Sequence, residues 1–190
     1  PNKRHDGLNI ARGAHAVDES VIKTEINEKG NAVMKLESLA RMNGFESGGA
    51  HSALFDAELT AKVLSLIKKN QPHTWDTFLR TANRVDTEII IKKEKIFTLA
   101  EYHFGKNYKY VVAPLHPKYC IHPIYLWGQA FDLKIDPTPL LNMSISELKV
   151  AMKKLKFLKT IRSNKAPIIL DYNYGMQVEP YNNLDPNLIK

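Results

Sequence analysis

Lys35-Leu36-Glu37-Ser38-Leu39-Ala40-Arg41-Met42-Asn43-Gly44-Phe45, followed after a short connection by Ala50-His51-Ser52-Ala53-Leu54-Phe55-Asp56-Ala57, is the stretch from which the rest of the chain is read. Val33, Leu36, Leu39 and Ala40 recur at helical spacing, so residues 33–42 are predicted to form an amphipathic helix. Asn43-Gly44 supplies its stop, because glycine enters the left-handed conformation without a steric penalty. Gly48-Gly49 marks a tight connection, and a second helix is expected from about Ser52 to Lys69, closed by Asn70 and Pro72. This places His51 at a helix entrance and Asp56 inside the helix, on one face with Leu59, Thr60 and Val63. A carboxylate turned toward packed structure is costly unless a cation or several donors compensate it. A divalent metal is one solution, and a histidine nearby could take a proton from an attacking water. Ala53, Ala57 and Ala61 form a small-residue strip that would let this helix lie close to a sheet.

Upstream, Leu8, Ile10 and Ala11 fit either a short strand or a helix, and Asp18 to Gly30 reads as a loop or insertion. Downstream, residues 73–82 are expected to add a helical turn or two. Beyond Asn83 the texture changes to short β-prone runs at Glu88–Ile91, Ile96–Leu99, Lys109–Ala113, Ile124–Gln129 and Ile168–Leu170. One helix interrupts them, from Ile145 to Leu158, with the capping-box pair Ser144 and Glu147 at its start. Ile145, Leu148, Ala151, Met152, Leu155 and Leu158 would form its inner face, and Lys149, Lys153, Lys154, Lys156 and Lys159 the remainder. The tail after Tyr174 lacks periodicity and reads as linker.

The formal net charge is +7, and it is uneven. Residues 1–80 hold 11 Lys and Arg against 10 Asp and Glu, whereas residues 81–190 hold 16 against 10. An excess of this kind suits a face turned to a polyanion, or a lysine-rich solvated surface. Within the second half, Tyr102, Phe104, Lys106, Tyr108, Lys109 and Tyr110 interleave aromatics with charge. Single strands bind such surfaces by base stacking and phosphate neutralisation, though alternate aromatics in a strand also serve a core. No apolar run is long enough to cross a bilayer, and no signal-peptide pattern opens the chain. Cys120, the single cysteine, cannot form an internal disulfide, which fits a reducing cytoplasm. His116, Cys120 and His122 match no zinc spacing.

The string Leu36-x-x-Leu39 … Asn43-Gly44-Phe45 … Ala50-His51-x-Ala53-x-x-Asp56-Ala57 resembles the third exonuclease motif of the DnaQ-like exonucleases that carry a histidine with four acidic residues. Downstream segments narrow the resemblance to exodeoxyribonuclease I. These are Lys68-Lys69-Asn70-Gln71-Pro72 with Trp75-Asp76-Thr77-Phe78-Leu79, and Val112-Ala113-Pro114-Leu115 with His116-Pro117. Asp136-Pro137-Thr138-Pro139-Leu140-Leu141 and Ser163-Asn164-Lys165-Ala166-Pro167-Ile168 continue it. The match runs in one order over roughly residues 4–175.

The resemblance implies an α/β RNase H-like unit over residues 1–80, the closing part of an exonuclease domain. A β-rich SH3-like domain with one inserted helix follows over 83–175, and residues 176–190 would be linker or the start of a next segment. It implies a hydrolase degrading single-stranded DNA from the 3′ end, acting in DNA repair. In that family His51 would be the general base and Asp56 a ligand of a two-metal Mg²⁺ site. Arg12 resembles an arginine placed near DNA, and Lys106, Tyr108, Lys109 and Lys165 are the further expected DNA contacts. Single-stranded DNA and single-stranded-DNA-binding protein are the implied partners, with no membrane.

The departure from the family is that three of four acidic ligands belong to motifs upstream of anything here. Asp56-Ala57-Glu58 and Asp86-Thr87-Glu88 are Asp-x-Glu strings in the wrong places. One Asp and one His cannot build a two-metal site, so the chain is expected to be an internal piece, inactive alone. A non-catalytic single-stranded nucleic-acid-binding module is the alternative from another class.

Overall fold

The computed structural model describes residues 5–45, 52–122, 124 and 127–185. Helix α1 (Gly7–Val17) begins at Asp6, whose carboxylate accepts from the Leu8 and Asn9 amides. Of the two readings open for Leu8, Ile10 and Ala11, helix is the one observed. Strand β1 (Glu25–Ile26), inside the stretch expected to be loop, pairs antiparallel with β2 (Ala32–Val33) just beyond it to make a small hairpin. Helix α2 (Leu36–Met42) follows, so the predicted helix starts three residues late because Ala32–Val33 is paired as strand.

The stop of α2 is closed as its sequence requires. Gly44 has φ +79°, the Phe45 amide donates to Ala40 O at 2.9 Å, and the Gly44 amide to Arg41 O at 3.2 Å. These two bonds satisfy carbonyls that the helix end would otherwise orphan. Glu25 ties α2 to the hairpin, accepting from Ser38 Oγ at 2.8 Å and Arg41 Nη2 at 2.7 Å.

Helix α3 (Ala53–Asn70) is capped by Ser52, which accepts from the Phe55 amide at 3.2 Å, and α4 (Pro72–Leu79) follows with Pro72 in its first turn. The buried face of α3 is Leu59, Val63 and Ile67. Ala53, Ala57 and Ala61 are exposed, so that strip makes no close approach to a sheet among the described residues. The close approach is made by α1, where Ile10, Ala11, Gly13 and Ala14 are buried against the large sheet and α4. A Cβ on Gly13 would stand 3.1 Å from Ile168 and 3.2 Å from Phe78.

Helix α5 (Arg84–Lys93) corrects the β-prone reading of Glu88–Ile91. Asn83 caps it by accepting from the Asp86 amide at 2.9 Å, and Arg84 pairs with Glu88 one turn on. The Ile89-Ile90-Ile91 run favours strand by side-chain type, but Ile90 is buried and Ile91 partly buried as a helical face against the sheet, and packing overrides propensity.

Five antiparallel strands then build the main sheet: β3 (Phe97–His103), β4 (Lys106–Pro114), β5 (Gly128–Asp132), β6 (Leu158–Ile161) and β7 (Ile168–Leu170), in spatial order β6-β5-β4-β3-β7. One face carries Phe97, Leu99, Val112, Ala130, Ile161 and Ile169 and packs on α5. The other carries Ala100, Tyr102, Ile168 and Leu170 and packs on α1. Two short helices, α6 (Thr138–Leu141) and α7 (Ile145–Leu155), connect β5 to β6.

The capping box of α7 forms: Ser144 Oγ accepts from the Glu147 amide and the Glu147 carboxylate accepts from the Ser144 amide. The helix ends at Leu155, since Lys156 is left-handed and Leu158 already belongs to β6. Its expected inner face is not buried; Ile145 and Leu155 are 76% and 38% exposed. The stretch read as linker begins within α8 (Tyr172–Met176) and holds the buried Tyr181, whose hydroxyl donates to Asp132 Oδ1 at 2.7 Å. Among the described residues, no helix is long and apolar enough to cross a membrane.

Candidate active-site cleft

A cavity of about 1440 Å³ opens between α1, the β1–β2 hairpin, α2, α3 and the turn joining β3 to β4. Its polar lining includes Asp6, Arg12, Asn27, Lys29, Asn31 and Asp56; Leu36, Leu39, Val63 and Leu64 make an apolar floor.

Asp56 stands in the first turn of α3 and is half-buried. The neighbouring Thr60 hydroxyl is turned away to the Asp56 carbonyl, 2.8 Å off. A carboxylate near a helix N-terminus is favoured by the exposed amides there, so the helix tolerates Asp56 without a cationic partner among the described residues. His51 lies outside the described residues. Among the described residues, no group of three or more His, Cys, Asp or Glu stands close enough to hold a metal ion.

Arg12 enters the same cleft from α1. Its guanidinium lies over the Tyr102 ring, 5.1 Å from the centroid, and its Nε is buried without a hydrogen-bond partner among the described residues. The Tyr102 hydroxyl donates to Ala32 O, which ties the sheet to the hairpin. Burial raises the Tyr102 phenol above its ordinary range, against an opposing pull from Arg12.

The other expected DNA contacts are dispersed. Lys106 and Tyr108 share a sheet face with Glu101, His103 and Tyr110. There the Tyr108 and Tyr110 rings run nearly parallel, 4° apart in plane and 6.2 Å between centroids. Lys159 Nζ caps Tyr110 at 3.7 Å from its centroid, and burial pushes the Tyr110 phenol up to about 12. Lys109 points to the opposite face, where burial lowers its ammonium, offset by Glu19 and Asp18 beyond the end of α1. Lys165 is exposed in the turn before β7, its carbonyl accepting from Asn9 Nδ2 at 3.1 Å. Only Arg12 of these five shares the Asp56 cleft.

Three further groups were not singled out from sequence. Lys29 and Asn27 reach the cleft from the β1–β2 hairpin, where the Asn27 side chain accepts from the Lys29 and Asn31 amides at 3.0 Å each. That Asn-x-x-Gly-Asn pattern is a turn signal inside what reads as featureless loop. Arg162 lies over Trp127 at 5.4 Å, a basic-aromatic pair split across 35 residues of sequence and so invisible to local pattern.

No protein-family model matches the chain. Among curated proteins it is similar to exodeoxyribonuclease I of Buchnera aphidicola from Acyrthosiphon pisum, at 30% identity over 151 residues, 75% of this chain and 35% of that protein. It is also similar to exodeoxyribonuclease I of Escherichia coli, at 27% identity over 187 residues, 90% of this chain and 38% of that protein. The chain thus spans little more than a third of the length of these relatives. Among solved structures, Escherichia coli exonuclease I in complex with a dA16 oligonucleotide superposes with a TM-score of 0.69 at 25% identity, over 94% of this chain and 40% of that one. The ExoI/SSB-Ct complex gives 0.68 at 25% identity, over 96% and 41%.

Proposed function

We propose, from the premise that the chain is a homologue of exodeoxyribonuclease I, that it is part of a metal-dependent exonuclease removing 5′-mononucleotides from the 3′ end of single-stranded DNA. The observation that carries this reading is the cleft holding Asp56 and Arg12 together. A carboxylate suited to a hard cation then lies across from a guanidinium suited to phosphate. Residues 1–80 would close an RNase H-like exonuclease domain, and residues 83–175 would form the SH3-like domain that follows it. The apolar floor of Leu36, Leu39, Val63 and Leu64 fits a helix layer of such a domain, which needs strands laid over it.

Asp56 fits one ligand position of a Mg²⁺ site, and the described residues by themselves do not complete one. When bound, a divalent cation there would supply Lewis-acid polarisation of the phosphate. His51 would take the proton of the attacking water, and Arg12 would hold a phosphate of the strand. Lys106, Tyr108, Lys109 and Lys165 would extend strand contact over the sheet. Activity would require the two upstream carboxylate motifs, so these 190 residues would bind DNA without cutting it. The SSB-Ct complex of a relative supports single-stranded-DNA-binding protein as a partner.

The test is binding of the chain to labelled oligo(dT) across a salt series. Affinity is expected to fall linearly in log–log form, with a slope set by the phosphates neutralised. A flat response would remove the DNA contact.

A further inference from the structure

The turn between β3 and β4 is built against its own sequence. His103 pairs with Lys106, leaving Phe104 and Gly105 as a two-residue loop with φ of +51° and +79°. Both positions are left-handed, a hairpin turn in which Asn-Gly is the favoured pair. Gly105 meets the requirement; Phe104 does not, because a side chain with a Cβ is strained there. Nothing local repays that strain, since the Phe104 ring is 92% exposed and buries almost no apolar surface.

The loop is nonetheless held firmly. A Cβ on Gly105 would stand 2.2 Å from Asn31 Cβ, so the turn and the β1–β2 hairpin are in direct contact. The Ala32 amide donates to Gly105 O at 3.2 Å, and the Tyr102 hydroxyl to Ala32 O. An exposed aromatic is therefore fixed on a rigid turn at the rim of the cleft that holds Arg12 and Asp56. Strain maintained by its surroundings at the edge of a binding cleft is a mark of function.

We propose that Phe104 is a base-stacking platform, taking an unpaired nucleobase of the strand whose phosphates Arg12 engages. This rests on the reading that the cleft receives single-stranded DNA, and it adds a reason for preferring single strands: a paired base offers no free face to the ring. Phe104 is then a binding and positioning residue that touches substrate, not a catalytic one.

The test uses the whole chain and two 3′-tailed probes, oligo(dT) and an oligomer of equal length whose sugars lack bases. Phe104→Ala should weaken oligo(dT) binding about five- to a hundredfold, as expected for one lost stack. Binding of the abasic oligomer and the salt slope should not change, because no phosphate contact is removed. Phe104→Trp should keep the affinity, and its fluorescence should be quenched by oligo(dT) alone. Phe104→Asn should raise the melting temperature, by relieving the turn, while losing oligo(dT) affinity. A purely structural Phe104 would not give that opposite pair of changes. Unchanged oligo(dT) binding by Phe104→Ala, or an equal loss on the abasic oligomer, overturns the stacking role while leaving the DNA reading in place. Failure of the wild-type chain to bind either oligomer overturns the DNA reading and the stacking role with it.

Discussion

The guanidinium of Arg12 rests on the ring of Tyr102, 5.1 Å from its centroid, although 90 residues separate the two in sequence. That pair links α1 to β3 on the wall of the cleft, and it holds a cation whose Nε lacks a hydrogen-bond partner among the described residues.

Arg12→Ala is expected to weaken oligo(dT) binding about tenfold and to lower the salt slope by about 1, the signature of one lost phosphate contact. Arg12→Lys keeps the charge but loses the planar face on Tyr102, and should recover only part of the affinity. Fluorescence anisotropy across a salt series measures both quantities.

Gly105→Ala places a Cβ in collision with Asn31 at a left-handed position. Loss of about 1–3 kcal/mol is expected, read as a lower midpoint in urea. Asn31→Ala shortens the opposing side chain and does not remove the clash with Asn31 Cβ, so it should restore little.

Tyr181→Phe removes the hydroxyl that donates to the fully buried Asp132, whose other oxygen has Lys159 and Lys134 at 3.4 and 3.5 Å. The two lysines keep the carboxylate compensated, so a cost of about 1–3 kcal/mol is expected and not unfolding. A fall in melting temperature of a few degrees, with residues after Val178 more open to protease, would show it.

His15 is buried beneath β4 with Nδ1 2.7 Å from Asn107 Nδ2. Burial lowers its pKa below the ordinary 6.5, with Glu19 and Asp18 opposing. The unfolded chain therefore binds a proton more readily than the folded one. The stabilisation is complete above about 6.5 and is lost as pH falls through the lowered folded value. His15→Gln should flatten that acid limb in a series of melts from pH 8 to 5.

Features coded by neighbouring residues were legible in the sequence. The Asn43-Gly44 stop, the Ser144–Glu147 capping box and α3 itself all follow from contacts a few residues long. Misreadings arose where distant packing decides. Ile89-Ile90-Ile91 is strand-like by composition, yet the sheet it covers makes it a helix face. The small-residue strip of α3 is exposed because Leu59, Val63 and Ile67 occupy the inward side. Tyr181 carries no periodic signal, and its partner Asp132 lies 49 residues away.

The cleft shows the same division. The place of Asp56 in the first turn of α3 was legible from local spacing, whereas the Arg12–Tyr102 pair and the contact of Gly105 with Asn31 exist only in three dimensions. Parity along β4 did separate Lys106 and Tyr108 from Lys109, since successive strand residues face opposite ways.

The most direct test of the nuclease reading is Mg²⁺-dependent release of mononucleotides from a 3′-labelled single strand, by a polypeptide carrying this chain behind the two upstream carboxylate motifs. Asp56→Ala should abolish turnover, by at least about a hundredfold, while binding of the same strand stays within about twofold. Turnover unchanged by Asp56→Ala would contradict the assignment.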